Sequence, residues 1–320
     1  MDTPPKYSIV LPAYNEASNI APMTERLMAV CEALDGPFEI IWVNDGSTDQ
    51  SSALLDDMTD ANTRVRALHF SRNFGHMAAL CAGLEAAHAT HAVVTMDADG
   101  QHPPERIPDM VAAWHNGADI VQMVRAEDPR LSAGKRLTSH WFYALFNLLA
   151  DTNVPQGAAD FRLLDRQVVD ALNNLPERVR FMRGLVHWVG FEQTQLTFAQ
   201  DDRIAGNTKY SLWRMITLAL NGITSFSVRP LRLAFVLTLL VLAVVAVYSV
   251  YVLLAMVTGK YLTPGWASTM FIILLLGAAQ LLVIGIASEY LARMYVEQKQ
   301  RPVYIIRKKP RQEDPPSESH

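Results

Sequence analysis

The chain has 320 residues, half of them hydrophobic, and 28 Lys and Arg against 32 Asp and Glu give a formal net charge of -4. That length holds one sizeable domain plus further elements, and the slightly acidic balance excludes a global nucleic-acid footprint. Two cysteines, Cys31 and Cys81, are too few for a disulfide framework and read as small core residues.

The opening MDTPPKYSIVLP has no apolar segment before the first strand, so no signal peptide is expected. YSIVLPAYNE (7–16) reads as a strand running into a turn, and SNIAPMTERLMAVCEAL (18–34) as an amphipathic helix. FEIIWVNDGSTDQS (38–51) is a strand ending in a polar turn, whose Ser or Asp caps the helix after it. VRALHFS (65–71) gives a third strand, GHMAALCAGLEAAH (75–88) a helix and HAVVTMDAD (91–99) a fourth strand. ERIPDMVAAWHNG (105–117) is a helix and ADIVQMVR (118–125) a fifth strand. This alternation predicts an α/β fold, a mostly parallel sheet with helices on both faces, and near-continuous apolar strands suit burial on both sides. Polar residues collect at the strands' carboxyl ends: Asn15 and Glu16, Asn44 and Asp45, Asp97 and Asp99. Ligands of open α/β sheets bind at that edge.

Beyond Arg125 the character changes. SHWFYALFNLLA (139–150) is a dense apolar helix preceded by Lys135 and Arg136. KYSLWRMITLALNGITSF (209–226) places Leu212, Ile216, Ala219, Leu220 and Ile223 at helical spacing. Both are aromatic-rich and flanked by basic residues, which predicts interfacial amphipathic helices. Leu233–Val257 and Tyr261–Ser288 carry no charge. At about 1.5 Å per residue each can cross a hydrocarbon core of about 30 Å. With the turn TGKYLTPG between them they predict a C-terminal two-helix transmembrane hairpin, with spans over about residues 233–257 and 264–288. Arg229 and Arg232 precede the first span. Arg293, Lys299, Arg301, Arg307, Lys308, Lys309 and Arg311 follow the second, and only Lys260 sits between. That bias predicts a multi-pass protein of the cell inner (plasma) membrane with both termini cytoplasmic. The tail KKPRQEDPPSESH is polar and Pro-rich and reads as disordered.

Asp97 and Asp99, one residue apart at a strand end, are read as reaching the same ion. Hard oxygen ligands suit Mg²⁺ or Mn²⁺, and Mg²⁺ is typically held by one or two carboxylates plus substrate phosphates. Gln101 continues the alternation and adds an oxygen. There is no Gly-rich phosphate loop. His69, His76, His88 and His91 show no metal-ligand spacing and read as structural or surface residues, and no Ser-His-Asp order stands out.

Taken in order, SIVLPAYNEASNI, VNDGSTDQS, RNFGHMAALCAGLEAA, MDADGQHPPE, GAADFRLLDRQVVDAL and RIAGNTKYSLWRM, followed by two spans, resemble family-2 glycosyltransferases over residues 6–305. Within that family the resemblance is to the polyprenyl-phosphate glycosyltransferases, such as dolichyl-phosphate mannose synthase and the bacterial bactoprenol glucosyltransferases. It implies a GT-A (Rossmann-like) fold, a sugar-nucleotide donor and inverting transfer of one hexose to undecaprenyl or another polyprenyl phosphate. By position it implies that Pro12, Tyr14 and Glu16 line the nucleoside pocket and Asp45 contacts base or ribose. Asp97, Asp99 and Gln101 would hold the metal on the diphosphate, with Asp97 also on the donor. Asp160 would sit at the reacting centre and Arg203 and Lys209 approach the phosphates. Arg125, Lys135, Arg136 and Ser139 would capture the acceptor phosphate. Asn44 stands where an aspartate is often found, and Gly100 where an apolar residue is usual, which leaves the donor open.

The expected organisation is a sugar-nucleotide-binding core over 1–130, an acceptor part with juxtamembrane helices over 131–228, the hairpin over 229–292 and a basic tail over 293–320. UDP-glucose is the favoured donor, against GDP-mannose, UDP-N-acetylglucosamine and a UDP-aminoarabinose derivative, for cell-envelope glycan modification. A processive polysaccharide synthase would carry Q-x-x-R-W and more spans. A non-catalytic scaffold would have lost the Asp97 and Asp99 pair or the Arg203 and Lys209 cluster. Short hairpins of this kind can pack together, which makes a homo-oligomer compatible with the chain.

Overall fold

The computed structural model describes residues 3–126, 157–178, 180–199, 224, 227–258 and 265–307. In chain order the strands are β1 (Tyr7–Ala13), β2 (Phe38–Asn44), β3 (Val65–His69), β4 (Ala92–Thr95), β5 (Ile120–Arg125), β6 (Ala158–Asp165) and β7 (Gln193–Phe198). The helices are α1 (Ala17–Cys31), α2 (Ser51–Ala61), α3 (His76–Ala86), α4 (Ile107–His115), α5 (Arg166–Asn173), α6 (Met182–Trp188), α7 (Arg229–Val257) and α8 (Trp266–Gln298). All seven strands form one sheet in the order β3-β2-β1-β4-β6-β5-β7. β1 pairs in parallel with β2 and β4, β2 with β3, and β5 with β7. β6 runs antiparallel between β4 and β5. The sheet is therefore mixed and mostly parallel, the α/β arrangement expected of the sequence.

β1 and β2 are buried along their whole length. Ile9, Leu11, Ile40 and Trp42 join Ile20, Met23 and Leu27 of α1 in the central core. The one polar atom of Trp42 is satisfied, its Nε1 donating to Thr24 Oγ1 at 3.1 Å, as a buried indole requires. At the amino edge Glu39 is almost fully buried. Its Oε1 accepts from Ser8 Oγ at 2.6 Å and from the His88 backbone N–H at 2.7 Å, and its Oε2 accepts from Arg66 Nη1 at 2.7 Å. A buried carboxylate survives there because it is both paired and hydrogen-bonded, and it ties β1, β2 and β3 together away from the ligand edge.

α3 packs on β1 and β2. Its AALCAGL stretch is small and uncharged because Ala78 to Leu84 are all buried. The approach is closest at Gly83, where a Cβ would lie 2.1 Å from Val10 Cγ1. Cys81 on this helix and Cys31 on α1 are both buried and free, matching their reading as core.

Two compact units are present. The described parts of the first are residues 3–126, 157–178, 180–199 and 302–307, and of the second 224, 227–258 and 265–301. In the second unit α7 and α8 pack on one another, and Tyr290 OH donates to Ser227 O at 2.6 Å. Both are long and apolar enough to cross a membrane, over Arg229–Tyr251 and Ile272–Gln298. Leu233, Leu240, Val247, Leu274 and Leu281 face outward. Thr238 and Ser249 return their hydroxyls to Ala234 O and Val245 O, which keeps polar groups satisfied without water. α8 continues past Ser288 to Gln298 and picks up a Glu289–Arg293 pair at 3.6 Å. The segments expected to form interfacial helices, 139–150 and most of 209–226, lie outside the described residues, as does the tail 308–320.

Gly83→Ala is expected to destabilise the first unit by about 1–3 kcal/mol through overpacking against Val10. A thermal melt of detergent-purified protein should show a lower Tm, and Gly83→Ala/Val10→Ala should recover part of it. An unchanged Tm for the single variant would contradict the close approach.

Candidate active site

The carboxyl edge of the sheet is built from the turns after β1, β2 and β4 and from the start of β6. At the first, Pro12 is buried in β1 and Tyr14 is exposed just beyond it. Asn15 takes a left-handed φ of 57°. Its Oδ1 accepts from Thr48 N at 2.8 Å and its own N–H donates to Ser47 Oγ at 3.0 Å. Glu16 donates its backbone N–H to Ser51 Oγ at 3.1 Å, and its carboxylate accepts from Asn19 Nδ2. The N-cap of α2 is Gln50 with no side-chain cap, not the Ser or Asp expected; Asp49, one residue earlier, accepts from Ser51 N through Oδ1 at 3.0 Å as in an Asx turn, and its Oδ2 accepts from Ala17 N at 3.3 Å. The turns after β1 and β2 are thus stitched into one surface.

Asp45 directly follows β2 and is 3% exposed. Its Oδ1 accepts from Phe74 N at 2.6 Å and its Oδ2 from Gly75 N at 2.9 Å. Burial pushes its carboxyl pKa up, against these two donors. Since a carboxylate offers about four lone-pair sites, it retains acceptor capacity beyond the loop it holds.

The fourth strand stops at Thr95, shorter than the sequence suggests, with one further ladder bond from Met96 N to Val10 O at 3.1 Å. Asp97, Asp99 and Gln101 therefore stand in a turn rather than in strand alternation. Gly100 supplies the positive φ of 80° that this turn needs. Asp99 Oδ1 accepts from Gln101 N at 3.1 Å, and the Gln101 side chain is largely buried. The turn folds back so that Asp97 N donates to Nδ1 of His102 at 2.9 Å. That ring is fully buried, stacked on Phe161 at 5.2 Å, and burial lowers its pKa. A ring accepting at Nδ1 while burial favours its uncharged form is neutral and carries its proton on Nε2, 3.6 Å from Asp97 Oδ2.

β6 brings the fourth element. Thr95 lies opposite Arg162, so Asp160 falls beside the turn at Asp97, and Thr95 Oγ1 donates to Asp160 O at 3.0 Å. Asp160 is 2% exposed and clamped by two guanidiniums. Arg162 Nη2 reaches Oδ1 at 2.6 Å. Arg183 of α6 reaches Oδ2 through Nη2 at 2.7 Å, with its Nε at 3.2 Å from both oxygens. His76 Nε2, at the start of α3, lies 3.6 Å from Asp160 Oδ2 and 3.4 Å from Asp97 Oδ1. Burial alone would raise the Asp160 pKa, but Arg183, His76 and Arg162 hold it well below the carboxylate range. Desolvation pulls the His76 imidazole down, and Asp160 and Asp97 outweigh it and raise it. A carboxyl held so far down is a weak base and a strong fixed anion, suited to orienting partners.

Arg125 ends β5 at this same edge with an exposed side chain, its N–H donating to Gly157 O at 3.1 Å. β7 ends here too, at Phe198, opposite Arg125. Lys135, Arg136, Ser139, Arg203 and Lys209 lie outside the described residues. Of the residues named from sequence, Pro12, Tyr14, Glu16, Asp45, Asp97, Asp99, Gln101, Arg125 and Asp160 all fall on this edge. His76, His102, Arg162 and Arg183 join them there without having been singled out from sequence, and His76, read as structural or surface, faces both Asp97 and Asp160. The signal for Arg162 was its position two residues after Asp160 on one strand, hence on the same face. Arg183 had none, because it arrives from a separate helix.

A hard divalent cation fits the turn. Asp97 Oδ1 is buried and accepts no hydrogen bond. Among the described residues no group of three or more His, Cys, Asp or Glu side chains converges as a metal cage. Two carboxylates completed by substrate oxygens is the pattern of a Mg²⁺-type site.

Against known proteins, the model of "Glycosyl transferase family 2" matches residues 8–172. The uncharacterized glycosyltransferase YkcC of Bacillus subtilis (strain 168) is 41% identical over 95% of this chain and 94% of its own. A prophage bactoprenol glucosyl transferase homolog of Escherichia coli (strain K12) is 37% identical over 95% and 99%. The bactoprenol glucosyl transferase of Shigella phage SfII is 36% identical over 95% and 98%.

The Asp160 clamp sets a pH dependence. Its folded pKa lies below the unfolded value of 3.8, so its contribution is present above that value and lost as pH falls through the folded one. Melts between pH 5 and pH 3 should lose Tm more steeply in the native protein than in Asp160→Asn, and coincident slopes would refute the ionised clamp. Asp160→Ala, which leaves Arg162 buried without its partner, is expected to cost about 3–5 kcal/mol.

Proposed function

Because the chain belongs to glycosyl transferase family 2, we propose that it transfers one glucose from UDP-glucose to undecaprenyl phosphate, with inversion at the anomeric carbon, at the cytoplasmic face of the membrane. The single observation that carries the reading is the convergence of Asp97, Asp99 and the clamped Asp160 on one sheet edge, in a chain that also holds two lipid-compatible helices. Near-full-length similarity to bactoprenol glucosyl transferases supports both the lipid acceptor and glucose. The Lys and Arg excess outside the hairpin supports a cytoplasmic catalytic unit and cytoplasmic termini.

In this reading Pro12, Tyr14 and Glu16 line the nucleoside pocket, with Asp45 at its inner wall. Asp97 and Asp99, with Gln101 beside them, hold Mg²⁺ or Mn²⁺. When bound, that ion supplies charge stabilisation to the departing diphosphate. Arg203 and Lys209 add positive charge to the same phosphates. Arg125, Lys135, Arg136 and Ser139 receive the acceptor phosphate. Its oxygen attacks the sugar C1, the bond from C1 to the diphosphate oxygen breaks, and UDP leaves. The acceptor is already an anion, so no strong base is required. Asp160 instead acts as a fixed charge, oriented by Arg162 and Arg183, that positions sugar and acceptor. Preorganised charge of this kind costs no reorganisation during the reaction.

The test is a transfer assay with the detergent-purified full chain, undecaprenyl phosphate, Mg²⁺ or Mn²⁺ and a panel of UDP- and GDP-sugars, reading glycolipid by mass spectrometry. Glucosyl lipid from UDP-glucose is expected. EDTA should abolish it, and Asp99→Ala should lower turnover about a hundredfold or more. Product from a different sugar nucleotide would replace glucose, and the absence of any nucleotide binding would refute the enzyme.

A further inference from the structure

β3 is the outer strand at one end of the sheet, and an open strand edge normally exposes unpaired N–H and C=O groups. Here the continuation of β3 is covered by chain that follows α8. Phe70 pairs antiparallel with Ile306. Ser71 N donates to Ile305 O at 2.9 Å and Arg307 N to His69 O at 2.7 Å. The preceding residue, Tyr304, lies with its ring stacked on Phe70, centroids 5.0 Å apart and planes 11° from parallel. Its hydroxyl donates to Glu85 of α3, which also meets Arg180 Nη1 at 3.5 Å.

Tyr304 therefore touches both ends of one short stretch. Phe70 begins the loop that leads to α3, and Glu85 sits near the end of that helix. Between them, Phe74 packs edge-on against Phe70 at 5.7 Å, and the Arg72 guanidinium lies 4.0 Å over the Phe74 ring. The next groups are the two N–H donors, Phe74 and Gly75, that Asp45 accepts. Then comes His76, which faces Asp97 and Asp160. A contact at the sheet's outer edge is linked by consecutive residues to the donor site.

We propose that Tyr304 is a positioning residue: by clamping Phe70 and Glu85 it fixes loop 70–76, and thereby holds the Asp45 wall and His76 in their places at the donor site. Protection of an edge strand needs only backbone pairing, which residues 305–307 already supply. The stacked ring and the hydroxyl bond are additional, and both act on elements that flank the site. The inference rests on the donor-site reading given above.

The experiment uses the full chain in detergent with two readouts, hydrogen–deuterium exchange over residues 70–76 and calorimetric titration with UDP. In Tyr304→Ala, exchange at the Phe74 and Gly75 amides should rise while β1 and β2 stay protected, and UDP affinity should fall about five- to tenfold, a typical coupling between separate sites. Tyr304→Phe keeps the ring and the fold and loses the hydroxyl bond to Glu85. It should show the same local change at smaller amplitude, about twofold in affinity. Unchanged exchange at residues 70–76 in both variants overturns the proposal, as does a rise spread evenly through the sheet, which marks edge protection alone. If the native protein binds no UDP, the donor-site reading fails, and the exchange data still decide whether Tyr304 fixes the loop.

Discussion

The antiparallel strand β6, lodged between β4 and β5, is the constraint on which the site depends. A purely parallel sheet would deliver to its carboxyl edge only residues at strand ends. By reversing direction, β6 delivers residues from its beginning, and the pairing of Thr95 with Arg162 sets Asp160 beside the turn at Asp97. The same strand places Arg162 on the face of Asp160, and the first turn of α6 adds Arg183. A carboxylate this deeply buried is costly unless its charge is balanced and its oxygens are filled. Two guanidiniums and the nearby His76 meet that requirement, and they leave an ionised group whose direction is fixed.

The rest of the edge follows the same economy of polar atoms. Asn15, Ser47, Thr48, Asp49 and Ser51 satisfy one another across two turns. Asp45 is spent partly on the backbone of the loop before α3. Buried atoms of this edge without a hydrogen bond include Asp97 Oδ1, His102 Nε2 and Arg162 Nε. Of these three the Asp97 oxygen is the anionic one, and an unfilled carboxylate oxygen favours positive charge beside it. Opposite it, the amino edge closes on Glu39 with every oxygen engaged. One end of the sheet is sealed and the other is left with capacity to bind.

The second unit obeys different solvent rules. α7 and α8 turn leucines and valines outward and return their few hydroxyls to their own carbonyls. Such a surface is stable in hydrocarbon and costly in water. The chain then re-enters the first unit, where residues 304–307 cover the outer edge beside β3. A single polypeptide thus joins a hairpin with an apolar outer surface to an α/β sheet whose carboxyl edge gathers polar residues.

Much of this was legible in the sequence. Period and composition announced β1 to β5 and the helices between them, because buried parallel strands and amphipathic helices impose patterns within a few residues. The two uncharged runs announced the hairpin for the same local reason. The motif order announced the family. Local pattern did not reveal where β4 would stop, since the turn that follows folds back on His102, whose ring bonds Asp97 N and stacks on Phe161 of a distant strand. Nor did it reveal that His76 would join the carboxylates, or that Tyr304 would settle on Phe70. Those contacts join residues far apart in the chain, and only the closing of the sheet, with one strand reversed, brings them within reach. The sequence by itself determined the elements, their order and the chemical types present at each turn. The tertiary structure alone decided which of those groups share a charge, because Coulomb and hydrogen-bond energies depend on separation in space and on burial, and neither is written in the spacing of letters.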